Sequence, residues 1–134
     1  METIMFKEEY PVMKEEWLKS ELKDDVTVDD IVKEFVDKIN EMWIKIFDVF
    51  DHYKWTVEKF PEWYIYPGIK AAKMIIFCWW QEIVSPYVFW VKPRNVWVVE
   101  MQDRFIISFL QIPNPKKMEL CKEFLDNTKK KFSK

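Results

Sequence analysis

Between Thr27 and Pro61, apolar residues fall at Val32, Val36, Ile39, Trp43, Ile46, Phe50, Tyr53, Val57 and Phe60, with gaps that alternate four and three. That spacing keeps one face of a helix apolar, and no Gly or Pro interrupts it. Thr27 and Asp30 make a capping-box-like start, and Asp29 adds a favourable charge at the helix N-terminus. The pattern predicts a single helix of about 33 residues, roughly 50 Å long. A domain of this size is only about 35–40 Å across, so such a helix has to kink or project. A second stripe at Phe35, Met42 and Val49 widens the apolar arc, and Trp43, Phe50 and Tyr53 are bulky for a coiled-coil seam. The expected role is the core helix of a globular fold.

The remaining segments carry shorter patterns. Thr3 to Phe6 suits a short strand, and residues 12–22 suit a first helix, opened by Pro11 and ended by Lys23-Asp24-Asp25. Residues 61–67 form an aromatic-rich connection with proline at both ends, expected to be extended. Residues 69–84 lean towards helix through two alanines and the Lys70/Lys73 spacing, although the all-apolar run 74–80 also suits a buried strand. Past Pro86 the residues turn aromatic and β-branched: 87–91, 96–101 and 105–112 read as strands, with turns at 92–95 and 102–103. Neither face of these strands is polar, so both need covering by helices or by another chain. Asn114-Pro115 then caps a last helix, Lys116 to about Phe132, with Met118, Cys121, Phe124 and Leu125 as its buried stripe. The expected fold is one α+β domain spanning residues 1–134. It has N-terminal helices including one long central helix, a three-stranded antiparallel meander, and a C-terminal helix.

Composition narrows the function classes. Of 134 residues, 8 are Trp, 5 Tyr and 11 Phe, and only 1 is Gly. Phosphate-cradling loops, dinucleotide fingerprints and nucleophile elbows all need glycines where backbone meets ligand or takes positive φ, so none is available here. Charged residues make up 33% of the chain while Asn numbers four and Gln three, a thermophile-like bias that 7 Met and 2 Cys oppose. Residues 1–67 carry 17 acidic and 9 basic groups, net −8, and residues 68–134 carry 6 and 12, net +6. The plainest account is that the two halves face each other in one fold. Cys78 and Cys121 suit buried thiols in a reducing cytosol. No apolar run exceeds the seven residues 74–80, and the N-terminus is charged where a signal peptide needs an apolar stretch. The expectation is a soluble, cytoplasmic protein without a membrane span.

Candidate chemistry is sparse. His52 stands near Asp48 and Asp51, but with no second histidine and no ligand-like cysteine spacing the three read as a solvated face, with no metal and no cofactor. The tandem acids Glu8/Glu9, Glu15/Glu16, Asp24/Asp25 and Asp29/Asp30 lie in polar stretches, unlike the apolar pockets that separate catalytic carboxylate pKa values. No enzyme is expected. Trp90, Lys92, Arg94, Trp97 and Arg104 mix rings with cations, as single-strand nucleic-acid grooves do, although buried sheet aromatics carry the same signature. Lys129-Lys130-Lys131 complements a helix C-terminus. Trp63, Tyr64 and Tyr66 sit on a connection, where loops meet solvent and where Trp and Tyr mark protein contacts. With Tyr53, Val57 and Phe60 at the end of the long helix, they form the expected protein-binding surface.

The leading expectation is a non-catalytic protein–protein interaction protein, a homodimer through that surface. Small size and aromatic density resemble small proteins of archaeal viruses and plasmids, which implies a modulator or inhibitor of a host factor in the host cytoplasm. The alternatives are a nucleic-acid-binding protein using the basic aromatic C-terminal half, and a virion or assembly structural protein.

Overall fold

A single five-stranded antiparallel sheet organises the chain, in a computed structural model that describes residues 1–4, 11–79, 82–87 and 92–134. The strands are β1 (Val12–Leu18), β2 (Lys45–Asp51), β3 (Ala71–Cys78), β4 (Arg94–Glu100) and β5 (Arg104–Leu110). Helix α1 (Val28–Glu41) precedes β2, the short α2 (His52–Lys59) follows it directly, and α3 (Pro115–Phe132) closes the chain. The strand order is β1-β5-β4-β3-β2, so the N-terminal strand lies at one edge and β2 at the other.

Register fixes which side chains share a face. Trp17 pairs with Phe105, Ile107 with Val98, Val96 with Ile75, and Ile46 with Phe77. These residues point to one side, where α1 and α3 cover them. Val28, Ile31, Val32, Phe35 and Ile39 form the buried stripe of α1, and Met118 and Leu125 that of α3. Phe35 is the hub: its ring meets Trp17 edge-on at 6.1 Å and Phe124 at 5.0 Å. Trp17, Phe35, Ile75, Val98 and Ile107 are fully buried.

The fold is α+β, but the expected three-stranded meander with N-terminal helices is not what forms. Residues 12–22, expected as a helix, are strand β1 followed by one 3-10 turn (Lys19–Glu21). Met13, Glu15 and Trp17 face inward and Val12, Lys14, Glu16 and Leu18 outward, a period of two. The four-residue step from Met13 to Trp17 satisfies a strand as well as a helix, and pairing along all seven residues of β5 decides it.

The 33-residue helix also does not exist. Its first half is α1, opened by the expected Thr27/Asp30 capping box. At Met42 and Trp43 the chain turns, Trp43 adopting φ 60 without a glycine, and resumes as β2. The stripe splits in β2, where Phe47 is an extra residue in a bulge between Ile46 and Asp48: Ile46 pairs with Phe77 on one face and Phe50 with Met74 on the other. A bulge shifts the side-chain parity by one, so Ile46 and Val49, three apart, face the same side of a strand. The stripe's last turns are α2, eight residues long and separate.

Residues 69–84 do not form a helix: the apolar run is strand β3, central in the sheet and half-buried or better along its length. The expected strands 96–101 and 105–112 are β4 and β5. Of the strand expected at 87–91, Tyr87 lies in a turn and the rest is outside the described residues, as are Met5 and Phe6 of the strand expected at the N-terminus. The last helix matches its expectation, with Asn114 Oδ1 accepting from the Lys116 and Lys117 N–H groups and Pro115 in the first turn.

The acidic first half and basic second half meet across the fold. Arg104 pairs with Glu16 at 2.9 Å, Lys73 with Asp29 and Asp51, and Lys131 with Glu34, while Lys19 and Glu100 at 2.7 Å pair in the opposite sense. No helix among the described residues is long and apolar enough to cross a membrane.

Candidate functional site: an aromatic recess on the second face

The opposite side of the sheet carries Trp97 and Val99 from β4, Ala72 and Met74 from β3, and Phe50 from β2. Only α2 and the connection that follows it cover this side among the described residues. Asp51 caps α2 by accepting from Lys54 N–H at 2.9 Å, and the helix ends at Phe60, whose N–H donates to Thr56 O at 2.8 Å. Residues 60–70 then loop back over the sheet. They turn into β3 at Gly68, whose φ of 94 demands glycine and whose missing Cβ would stand 3.3 Å from Met101 Cε.

Between helix, loop and sheet lies an open recess of about 340 Å³. Its floor is Ala72 and Val99, a directly paired couple in the β3–β4 register, small beside the neighbouring Trp97. Tyr53 and Thr56 form the helix wall, Tyr64, Ile65, Tyr66 and Ile69 the loop wall, and His52 with Trp97 the end. Thr56 is buried, and its hydroxyl is hydrogen-bonded to His52 Nδ1 at 3.0 Å. The imidazole, on an exposed residue, neighbours three rings: Phe50 at 5.4 Å, Trp97 at 5.8 Å and Trp55 at 6.0 Å. The aromatic contacts continue from Trp55 to Phe60 at 5.1 Å, and Phe60 stacks on Trp63 at 3.9 Å and 12°. Among the described residues no Asp, Glu, Lys or Arg lines the recess.

The expected protein-binding residues therefore divide. Tyr53, Tyr64 and Tyr66 line the recess, Phe60 and Trp63 stack outside it, and Val57 lies exposed on α2. Tyr64 is 80% exposed, Tyr66 64% and Trp63 53%.

The residues of the nucleic-acid alternative do not come together as one groove. Trp97 belongs to the recess, and Trp90 lies outside the described residues. Lys92 Nζ donates to Glu82 O at 3.0 Å, and the Arg94 guanidinium donates to Gln111 O. Arg104 donates to Asp103 at 2.8 Å and to Glu16 at 2.9 Å. Its hydrogen bonds to Asp103, then the attraction of that carboxylate and the bond and charge of Glu16, strengthen its hold on the proton, and the hydrogen bond from Arg104 lowers the Asp103 pKa in return. The Lys117 pKa is lowered by burial and then by the neighbouring Lys92 charge, with the ammonium 5.0 Å over the Trp79 ring.

The acids expected beside His52 are used locally. Asp48 Oδ1 accepts from Val49 N–H at 2.8 Å, and Asp51 caps α2. No group of three His, Cys, Asp or Glu side chains among the described residues is placed to hold a metal. Cys121 lines a small apolar cavity of about 40 Å³ on the first face, and burial pushes its thiol up to about 11.

Sequence reasoning separated His52, Trp97, Thr56 and Ala72, which the fold unites. One local signal was present: Thr56 follows His52 by four residues, one helical turn, as an intrahelical side-chain bond requires.

Over residues 1–130 the chain matches the family of unknown function DUF6858, and it belongs to that family. No curated protein and no solved structure matches it.

Proposed function

We propose that the protein is a non-catalytic binding protein that docks a protein partner through the exposed aromatic surface of α2 and residues 60–66. The observation that carries this reading is the exposure of Trp63, Tyr64 and Tyr66 on one loop, beside the partly exposed Trp55 and Val57. Contiguous exposed apolar surface marks interaction sites, and Trp and Tyr contribute the largest share of contact energy where proteins meet. A symmetric homodimer through this surface is the first form to test. The overrunning helix no longer argues for it, so the exposed rings are its remaining support.

Sedimentation equilibrium at micromolar concentration is expected to give twice the chain mass of 16.6 kDa, and the double variant Trp63→Ala, Tyr64→Ala to give the single mass. A monomer that captures the same proteins from its native lysate with and without those two rings sinks the docking reading. The non-catalytic part has its own test: His52→Ala is expected to change no turnover, and a turnover lost without a lower Tm contradicts it.

The nucleic-acid reading has less behind it, since Arg104 is already balanced by two carboxylates. Heparin retention lost on adding salt would restore it.

A further inference from the structure

We infer that the recess between α2, residues 60–70 and the β3–β4 strands is a binding pocket for a small, uncharged planar ring compound. The inference goes beyond protein docking, although Tyr64 and Tyr66 belong to both surfaces.

Size comes first. A recess of about 340 Å³ lies at the small end of ligand pockets, which run from roughly 300 to 1,000 Å³. It has room for one or two fused rings. The hollow is built into the register: Ala72 and Val99 face each other across β3 and β4, so the floor drops beside the tall Trp97.

Chemistry selects the occupant. The walls present Tyr53, Tyr64, Tyr66 and Trp97, whose faces and edges take another ring in stacked or edge-on contact. Among the described residues no carboxylate, ammonium or guanidinium lines the recess, so a charged ligand would lose water without gaining a counter-charge from them. A sugar needs amides or carboxylates for its many hydroxyls, and the lining supplies only Thr56, His52 and the tyrosine hydroxyls. Thr56 is already engaged by His52 Nδ1. That bond leaves Nε2 as the imidazole nitrogen without a hydrogen bond among the described residues, one polar contact for one heteroatom. An apolar pocket with few polar groups that fix orientation is the usual form of a small-molecule site.

The probe is indole, followed by protein-observed NMR, with benzoate, tetramethylammonium and cellobiose as comparison probes. Indole is expected to shift the amides of residues 53–56, 64–66, 72 and 97–99 saturably, and more tightly than the other three. Removing one wall ring in Tyr64→Ala is expected to weaken indole by roughly 2- to 12-fold, the range of one aromatic contact. Filling the floor in Ala72→Leu is expected to abolish the shifts. Tyr64 is largely exposed, so its variant keeps the fold even if Ala72→Leu does not.

Absent saturation, equal binding of any comparison probe, or indole affinity unchanged in Tyr64→Ala each overturns the proposal. So does a result in which the ring binds only as a side chain of a docked protein and never free. Oligomeric state is not read in this titration, so failure here leaves the docking surface untouched, and failure there leaves the pocket untouched.

Discussion

The two faces of the sheet share their strands and differ in everything that covers them. On the first face, α1 of 14 residues and α3 of 18 residues lie over Trp17, Ile75, Val98, Phe105 and Ile107. Burial of those side chains is complete; a 40 Å³ apolar gap lies between the sheet and the helices, and an open hollow of about 420 Å³ beside Leu22 and Phe105 is lined mostly by polar and charged side chains. On the second face a helix of 8 residues and a loop rest over Ala72, Trp97 and Val99, leaving an aromatic recess of about 340 Å³ and its rim rings in water. Towards the β1 edge even that cover stops among the described residues, and Val12, Leu18 and Leu110 are exposed. Both faces are aromatic, so apolar content does not distinguish core from site. What distinguishes them is whether enough chain is available to enclose the rings.

The contrast makes graded predictions. Phe35→Ala removes the ring that joins sheet, α1 and α3, and is expected to cost about 3–5 kcal/mol in urea unfolding. Trp97→Ala, on the half-covered face, is expected to cost about 2 kcal/mol, roughly half the full-burial value. Equal losses at the two sites would mean the second face is as enclosed as the first. At the turn that leads from one cover to the other, Trp43 holds φ 60 while 95% exposed. Trp43→Gly relieves that conformation and loses no packing, so a gain of about 1 kcal/mol is expected by the same assay.

Cys121 gives the first face a pH signature. Burial raises its pKa from 9.0 to about 11, so the folded chain holds a proton that the unfolded chain releases. Its contribution is complete below pH 9 and lost as the pH rises towards 11. Stability measured over that window is expected to fall more steeply in the wild type than in Cys121→Ala. The smallest effect belongs to the rim: Trp63→Ala and Tyr64→Ala are each expected within about 0.5 kcal/mol of wild type. A larger loss from either would make the rim structural and remove the reason for its exposure.

Patterns confined to one turn or cap were legible in the chain. The Thr27/Asp30 box, the Asn114-Pro115 start and the strands around Trp97 and Phe105 stand where local chemistry puts them. Patterns that two structures satisfy equally were not. Ile46 to Phe50 has the spacing of a helical step yet spans the two faces of a bulged strand, and Met13 to Trp17 is a helical turn or two strand periods. Long-range pairing with β3 and β5 decides both. The recess was visible only in pieces. Tyr53, Tyr64 and Tyr66 were grouped as a binding surface, while Trp97 was grouped with cations, and His52 was set aside as solvated. Three of these five come from α2 and β4 rather than from the loop, and only the sheet register places them together.

The strand order has a consequence in time. Val12 pairs with Leu110 and Leu18 with Arg104, partners 98 and 86 residues apart. The β3–β4–β5 meander closes through shorter loops and can gather early, whereas β1 joins only after β5 has been synthesised. Until then Trp17, later among the most deeply buried side chains, has no surface to enter, and Leu22 cannot bridge to Ser133. β1, synthesised well before its partner β5, is among the last parts of the chain to find its place.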